Sequence, residues 1–182
     1  FVKHLDFAAK IAQKLGVDIR EEIVQAVDHV DLAITQGEVV GLVGESGCGK
    51  STYGRMVAGI LAPTTGTLHY HGAEVTDPSS PPGKVAALKI QMIFQDPFSS
   101  LNPRMTIFEI ISEPLLVNNI GTRQEREDRV HELLNQVGLR QEFMQRFPHA
   151  FSGGQRQRIG IARALAAQPR LIIADEPVSG LD

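Results

Sequence analysis

Tryptophan is absent from the 182 residues, aromatic residues make up only 5%, and there is one cysteine, Cys48. A single cysteine excludes any intrachain disulfide and fits a reducing compartment. No stretch approaches the ~18 consecutive apolar residues of a membrane span, and no secretory signal pattern opens the sequence. Neither sign of charge dominates: 18 Lys and Arg stand against 21 Asp and Glu, for a net charge of −3. That balance argues against the broad basic footprint of a nucleic-acid binder, so no nucleic-acid partner is expected. Internal repeats, low-complexity tracts and long runs of one charge are also missing. What remains is an ordinary globular composition, 42% hydrophobic with 17 glycines, at a length suited to one domain of ~100–200 residues. The chain begins with Phe1 and ends at Asp182 inside a motif, and so reads as a piece of a longer protein, incomplete at both ends.

Along the chain, Phe7, Ile11 and Leu15 recur at helical spacing between Asp6 and Gly16, predicting a short amphipathic helix in an N-terminal insertion. Residues 24–34 are rich in β-branched side chains and predict a strand, turned back by Thr35-Gln36-Gly37. Residues 38–43 carry a buried-strand run into a glycine-rich loop, and a helix follows over residues 50–61. Residues 67–70 predict another strand, 78–83 a loop, and 85–94 a short helix followed by the strand 90–94. Residues 105–117 read as a helix that Pro114 should interrupt or end. Thr122 and Glu125 form a capping-box pattern for a helix over residues 122–137, with Val130, Leu133, Leu134 and Val137 as its apolar stripe and Gly138 as its stop. A second capping box, Ser152 to Gln155, opens a helix ending before Pro169. Residues 171–174 then predict a short buried strand ending in two acids. The overall pattern is α/β, with a helical insert between two strand–loop–helix regions.

Three segments carry chemistry. Gly44-Glu45-Ser46-Gly47-Cys48-Gly49-Lys50-Ser51, followed by Thr52, fits G-x-x-x-x-G-K-[ST] between a predicted strand and a helix. Glycines let backbone N–H groups converge on phosphate oxygens, and the helix N-terminus adds a positive dipole end. Lys50 is expected to reach the β- and γ-phosphates, and Ser51 to offer a hydroxyl to Mg²⁺. Cys48 reads as a tolerated small residue. Leu171-Ile-Ile-Ala-Asp175-Glu176 would deliver Asp175 to the Mg²⁺ shell and Glu176 to a water beside the γ-phosphate. Phe151-Ser-Gly-Gly-Gln155 is a capped helix start suited to an anion. His69 and His71 have no third ligand nearby and read as one face of an exposed strand. Arg156, Arg158 and Arg163 read as solvated or paired.

The segment FSGGQRQRIGIARAL resembles the signature motif of ABC-type ATPases. The order of the other segments agrees: a phosphate loop similar to Walker A, Gln95 similar to the Q-loop glutamine, then the signature, Asp175-Glu176 similar to Walker B, and Ser179 to Asp182 similar to the D-loop. The resemblance runs from about Val24 to the end. QDPFSSLNPRMTI and GLVGESGCGKST are similar to the oligopeptide and dipeptide importer ATPases. It implies a P-loop NTPase (RecA-like) core with an antiparallel β subdomain and an inserted α-helical subdomain. Within that single domain, residues 1–95 would be the nucleotide-binding part, 96–151 the helical insert, and 152–182 the signature helix, Walker B strand and D-loop. It further implies ATP and Mg²⁺ as cofactors, with Glu176 and Gln95 catalytic, Ser51, Gln95 and Asp175 at the metal, and residues 44–52 around the nucleotide. Ser152, Gly153, Gly154 and Gln155 would complete the site of a second ATPase subunit, with Ser179 and Asp182 at the D-loop. The partners implied are that second subunit, a transmembrane permease and, indirectly, an extracytoplasmic substrate-binding protein. The place implied is the cytoplasmic face of the membrane.

The sequence departs from the family pattern in three places. Residues 17–35 contain no aromatic to stack on adenine, leaving Ile23, Val24 or a folded-back Phe7. Residues 6–22 form an insertion, and the chain stops before the switch histidine. DNA-repair and chromosome-organising relatives separate the two halves with a long coiled coil, and no heptads run between Lys50 and Ser152. An ATPase of phosphonate breakdown shares much of the wording, and it or another non-transport ABC protein, such as a translation-associated or regulatory one, is the alternative.

Overall fold

The computed structural model describes residues 25–96 and 98–176. The expected helix through Phe7, the positions Ile23 and Val24, and the D-loop residues Ser179 and Asp182 lie outside the described residues. The chain divides into two compact units, residues 1–53 and 54–182, with the boundary inside the first helix, α1 (Lys50–Val57).

In the first unit the expected turn is present. The Glu38 N–H donates to the Thr35 carbonyl at 3.1 Å, and the Thr35 N–H and hydroxyl both donate to the Glu38 carboxylate. Gly37 takes φ +82° there, a value that L side chains rarely adopt. The strands expected over residues 24–34 and 38–43 are not found: no described residue of this unit belongs to a strand. Val39 is 97% and Val43 94% exposed. β-branched composition favours extended backbone, but a strand exists only where a neighbour completes its ladder. Among the described residues of this unit none does.

The second unit opens with a hairpin of β1 (His69–Tyr70) and β2 (Ala73–Glu74), antiparallel with His69 opposite Glu74. His71 and Gly72 make its turn at φ +50° and +79°. His71 therefore stands in the turn, edge-on to the Tyr70 ring, and does not share a strand face with His69 as expected. Next, α2 (Pro81–Lys89) starts inside the predicted loop. Ser80 caps it by accepting the Gly83 N–H at 3.1 Å, and Pro81 occupies a first-turn position where a missing N–H costs nothing. β3 (Ile90–Ile93) follows at once.

Two capping boxes then start α3 (Ile107–Val117) at Thr106/Glu109 and α4 (Arg123–Gln136) at Thr122/Glu125. Pro114 neither ends nor interrupts α3. The helix continues to Val117, and the Asn118 side-chain amide donates to the Pro114 carbonyl at 2.8 Å. Packing of the apolar face outweighs the one ladder bond that proline removes. Two 3₁₀ turns, Gln141–Gln145 and Pro148–Ala150, lead into α5 (Gly153–Ala166) and β4 (Leu171–Ala174).

The core lies among α3, α4 and α5. Ile107, Ile110 and Ile111 meet Val130, Leu133 and Leu134, and Ile159 and Ala162, all essentially inaccessible to solvent. Each of the valine, leucine and isoleucine side chains contributes about 1.5–3 kcal/mol by leaving water. Val137, the last residue of the expected stripe, is only partly buried against this cluster. β4 pairs in parallel with β3, Ile90 opposite Leu171 through Ile93 opposite Ala174. It alternates half-buried and exposed residues rather than being buried throughout. Among the described residues it has a neighbour on one edge only.

Candidate active site

The phosphate-loop sequence folds around its own lysine. Lys50 Nζ donates to the carbonyls of Gly44 and Glu45, both at 2.7 Å, and lies 3.8 Å from Cys48 Sγ. A turn closes beneath it, with the Cys48 N–H on the Glu45 carbonyl at 3.3 Å. One glycine is required here. Gly49 has φ +99°, and a Cβ on it would run into the Ala26 carbonyl oxygen. Gly44 packs so closely that a Cβ would stand 2.6 Å from Cys48 Sγ. Gly47, at φ +82°, faces open space. Ser46 belongs to the same loop, and Ser51 and Thr52 begin α1. The loop thus offers a cation, a cradle opened by glycines and the first N–H groups of a helix, which is the chemistry that a polyphosphate needs.

The acids occupy the second unit. Parallel pairing puts the carboxyl ends of β3 and β4 side by side, where open α/β sheets build their sites. The Asp175 N–H extends the ladder by donating to the Ile93 carbonyl at 3.0 Å. One residue further, Gln95 Nε2 donates to Glu176 Oε2 at 2.6 Å. Glu176 has φ +47°, an uncommon conformation for a non-glycine residue and a mark of local constraint. Gln95 and Glu176 are therefore brought into direct contact from distant parts of the sequence. Among the described residues no three His, Cys, Asp or Glu side chains gather as a metal site. Ser51 in the first unit, and Gln95 and Asp175 in the second, each carry an oxygen of the hard kind that Mg²⁺ accepts.

The capped helix start is as expected. Ser152 Oγ accepts the Gln155 N–H at 3.3 Å, and the Ser152 N–H donates to Gln155 Oε1 at 3.1 Å. Gly153 and Gly154 form the first turn behind that cap. A Cβ on Gly153 would touch the Phe98 ring at 3.7 Å.

Two arginines of this helix find partners in the segment after Gln95, which sequence reasoning did not foresee. The Arg156 guanidinium lies 4.4 Å from the centroid of Phe98, and its Nε donates to the Phe151 carbonyl at 3.0 Å. Arg163 Nη1 donates to the Ser100 carbonyl at 2.6 Å. Burial pushes the Arg163 guanidinium below its ordinary range, with Glu113 acting in the opposite direction. Arg156 and Arg163 are thus paired, with a ring and with backbone carbonyls, and Arg163 is half-buried. Asp96 turns the chain between Gln95 and this helix by accepting the Phe98 N–H at 2.8 Å and the Ser99 N–H at 3.3 Å. The Ser99 hydroxyl, then the Phe98 N–H, hold its carboxyl below the usual range. No spacing rule links positions 98 and 156, so only the fold could disclose this contact.

A family model described as ABC transporter matches residues 27–179. The oligopeptide transport ATP-binding protein AppF of Bacillus subtilis is 54% identical over 160 residues, 87% of this chain and 49% of that protein. The oligopeptide transport ATP-binding protein OppF of the same organism is 54% identical over 161 residues, 87% of this chain and 53% of that protein. The chain spans about half the length of the curated relatives it matches. Among solved structures, a dimeric post-hydrolysis state of the ATP-binding cassette MJ0796 bound to ADP and Pi is similar with a TM-score of 0.81. It is 35% identical, and the match covers 91% of this chain and 72% of that one.

Proposed function

Because this chain belongs to the ABC transporter family and has the α/β P-loop NTPase fold of its cassettes, we propose that it is the ATP-hydrolysing part of a peptide importer. The observation that carries the hydrolytic half is the Gln95–Glu176 contact at the carboxyl ends of β3 and β4. The peptide half is supported by the identity to AppF and OppF, both oligopeptide transport ATP-binding proteins.

The phosphates would lie on the loop of residues 44–49, exchanging the Gly44 and Glu45 carbonyls for phosphate oxygens around Lys50. Mg²⁺, when bound, would neutralise charge on the β- and γ-phosphates, held by Ser51, Gln95 and Asp175. Glu176 would accept a proton from water as the water oxygen bonds to the γ-phosphorus and the bond to the departing ADP oxygen breaks. Gln95, through its amide, orients that carboxylate. Ser152, Gly153, Gly154 and Gln155 would meet the nucleotide of a second subunit, a reading supported by the dimeric form of the similar cassette. The further partners are a transmembrane permease and, through it, a substrate-binding protein. The subunit would sit peripherally at the cytoplasmic face, and no described helix is long and apolar enough to cross a membrane. Residues 1–95, 96–151 and 152–182 would serve as nucleotide-binding part, helical insert, and signature–Walker B–D-loop part.

The test is ATP binding by calorimetry and phosphate release in the full-length protein. Lys50→Ala should weaken ATP binding about tenfold or more, ~1.4 kcal/mol. Glu176→Gln keeps size and hydrogen-bonding capacity but cannot act as the base, so binding should persist while turnover falls ~100-fold or more. Parental turnover by Glu176→Gln would remove it as the base, and parental affinity in Lys50→Ala would remove the nucleotide site. Gly154→Asp should block ATP-driven dimers through like-charge repulsion at the γ-phosphate while sparing single-subunit affinity.

A further inference from the structure

The chain between Gln95 and the core is held against α5 at two points separated along the helix. At its start, the Phe98 ring covers Gly153, where a Cβ would find ring carbons at 3.7 and 3.9 Å, and receives the Arg156 guanidinium at 4.4 Å. Two turns further on, Arg163 donates to the Ser100 carbonyl at 2.6 Å. Asp96 stiffens the intervening turn through the N–H groups of Phe98 and Ser99, and Leu101 is anchored in the core. Gln95, next to Asp96, holds Glu176. Phe98 is nevertheless 60% exposed, so core packing does not explain its place. Its ring meets the first turn of α5 and the cation that α5 presents.

We propose that Phe98 is a positioning residue for hydrolysis: packed against Gly153 and Arg156, it ties the Gln95–Glu176 contact to the start of α5. Displacement of the helix start is then carried through the Asp96 turn to the amide that orients Glu176, while Arg163 keeps the segment attached further along. Cation–aromatic stacking supplies the tie, because an arginine over a ring keeps its attraction at a partly exposed site where an ion pair is largely screened. This rests on the ATPase reading above.

The experiment measures steady-state ATP turnover, ATP KM and thermal melting of the full-length protein with Mg²⁺. The variants are Phe98→Ala, Phe98→Leu, Phe98→Tyr, Arg156→Ala and the Phe98→Ala/Arg156→Ala pair. Phe98→Ala and Phe98→Leu should each lower kcat about tenfold with KM and melting unchanged, whereas Phe98→Tyr, which keeps the ring, should retain parental kcat. The double variant should lose no more than Phe98→Ala alone. Parental kcat in Phe98→Ala, full activity in Phe98→Leu, or a loss matched by a fall in melting temperature would overturn the proposal. An additive loss in the double variant would overturn the stacking as its cause. Glu176→Gln is assayed alongside. If it turns over like the parent, the ATPase reading fails and this inference with it. If it is inactive while Phe98→Ala is unimpaired, only the inference fails.

Discussion

The described part of the first unit, residues 25–53, and the body over residues 54–176 hold their chemical groups by different means. The first contains no fully buried residue, and its loop is shaped by backbone: glycines at positive φ, a turn, and a lysine bonded to carbonyls close by in sequence. The second places Gln95 and Glu176 by parallel pairing of two strands, beside a core in which Ile107, Ile111, Leu133 and Leu134 are wholly enclosed. A phosphate cradle built from local conformation can therefore be written in a few consecutive residues. A contact such as that of the Gln95 amide with the Glu176 carboxylate needs two distant segments and a packed body beside them.

That contrast predicts where substitutions act. Leu134→Ala removes a fully enclosed side chain from α4 and should cost about 2–5 kcal/mol in chemical denaturation of the full-length protein. ATP affinity at temperatures where the protein stays folded should be unchanged. Gly49→Ala should cost less stability, about 1–3 kcal/mol, yet abolish most ATP binding in a calorimetric titration, because strain falls on the cradle itself. If Leu134→Ala weakened nucleotide binding as strongly as Gly49→Ala, the separation of local from tertiary control would be broken. Thr122→Ala removes one half of a capping box at α4 and should cost about 1 kcal/mol, with neither ATP affinity nor turnover altered.

The smallest effect is with pH. The Thr122 N–H, then its hydroxyl, lower the Glu125 carboxyl below its ordinary 4.5, and Thr106 does the same to Glu109. A carboxyl lowered in the folded state adds stability that is complete above about pH 4.5 and disappears as pH falls through the folded value. Glu125→Gln, which can still accept the Thr122 N–H but does not titrate, should flatten part of the acid-induced loss measured by circular dichroism. An unchanged acid profile would show that this carboxyl contributes nothing to it.

Much of the second unit was legible in the sequence. The capping boxes at Thr122 and Ser152, the stop at Gly138 and the strand before Asp175 follow from short-range rules of donors, glycines and spacing. Pro114 was misread because a local penalty was weighed without the buried face formed by Ile107, Ile110 and Ile111. The start of α2 was missed because a Pro-Ser-Gly cluster satisfies a loop pattern and a capped helix start equally well. The β-branched segments at residues 24–34 and 38–43 show the converse failure, since composition proposes a strand but cannot supply its neighbour.

Sequence alone determined the phosphate loop, the identities of Gln95, Asp175 and Glu176, and the signature that matched the family, because each depends on residue type at fixed short spacing. Tertiary structure decided that Gln95 bonds to Glu176, that Phe98 lies against Gly153 and Arg156, and that Arg163 reaches Ser100. Those contacts close between segments far apart in the chain. Their energies arise only after the backbone has been ordered, so no pattern in consecutive residues can encode them.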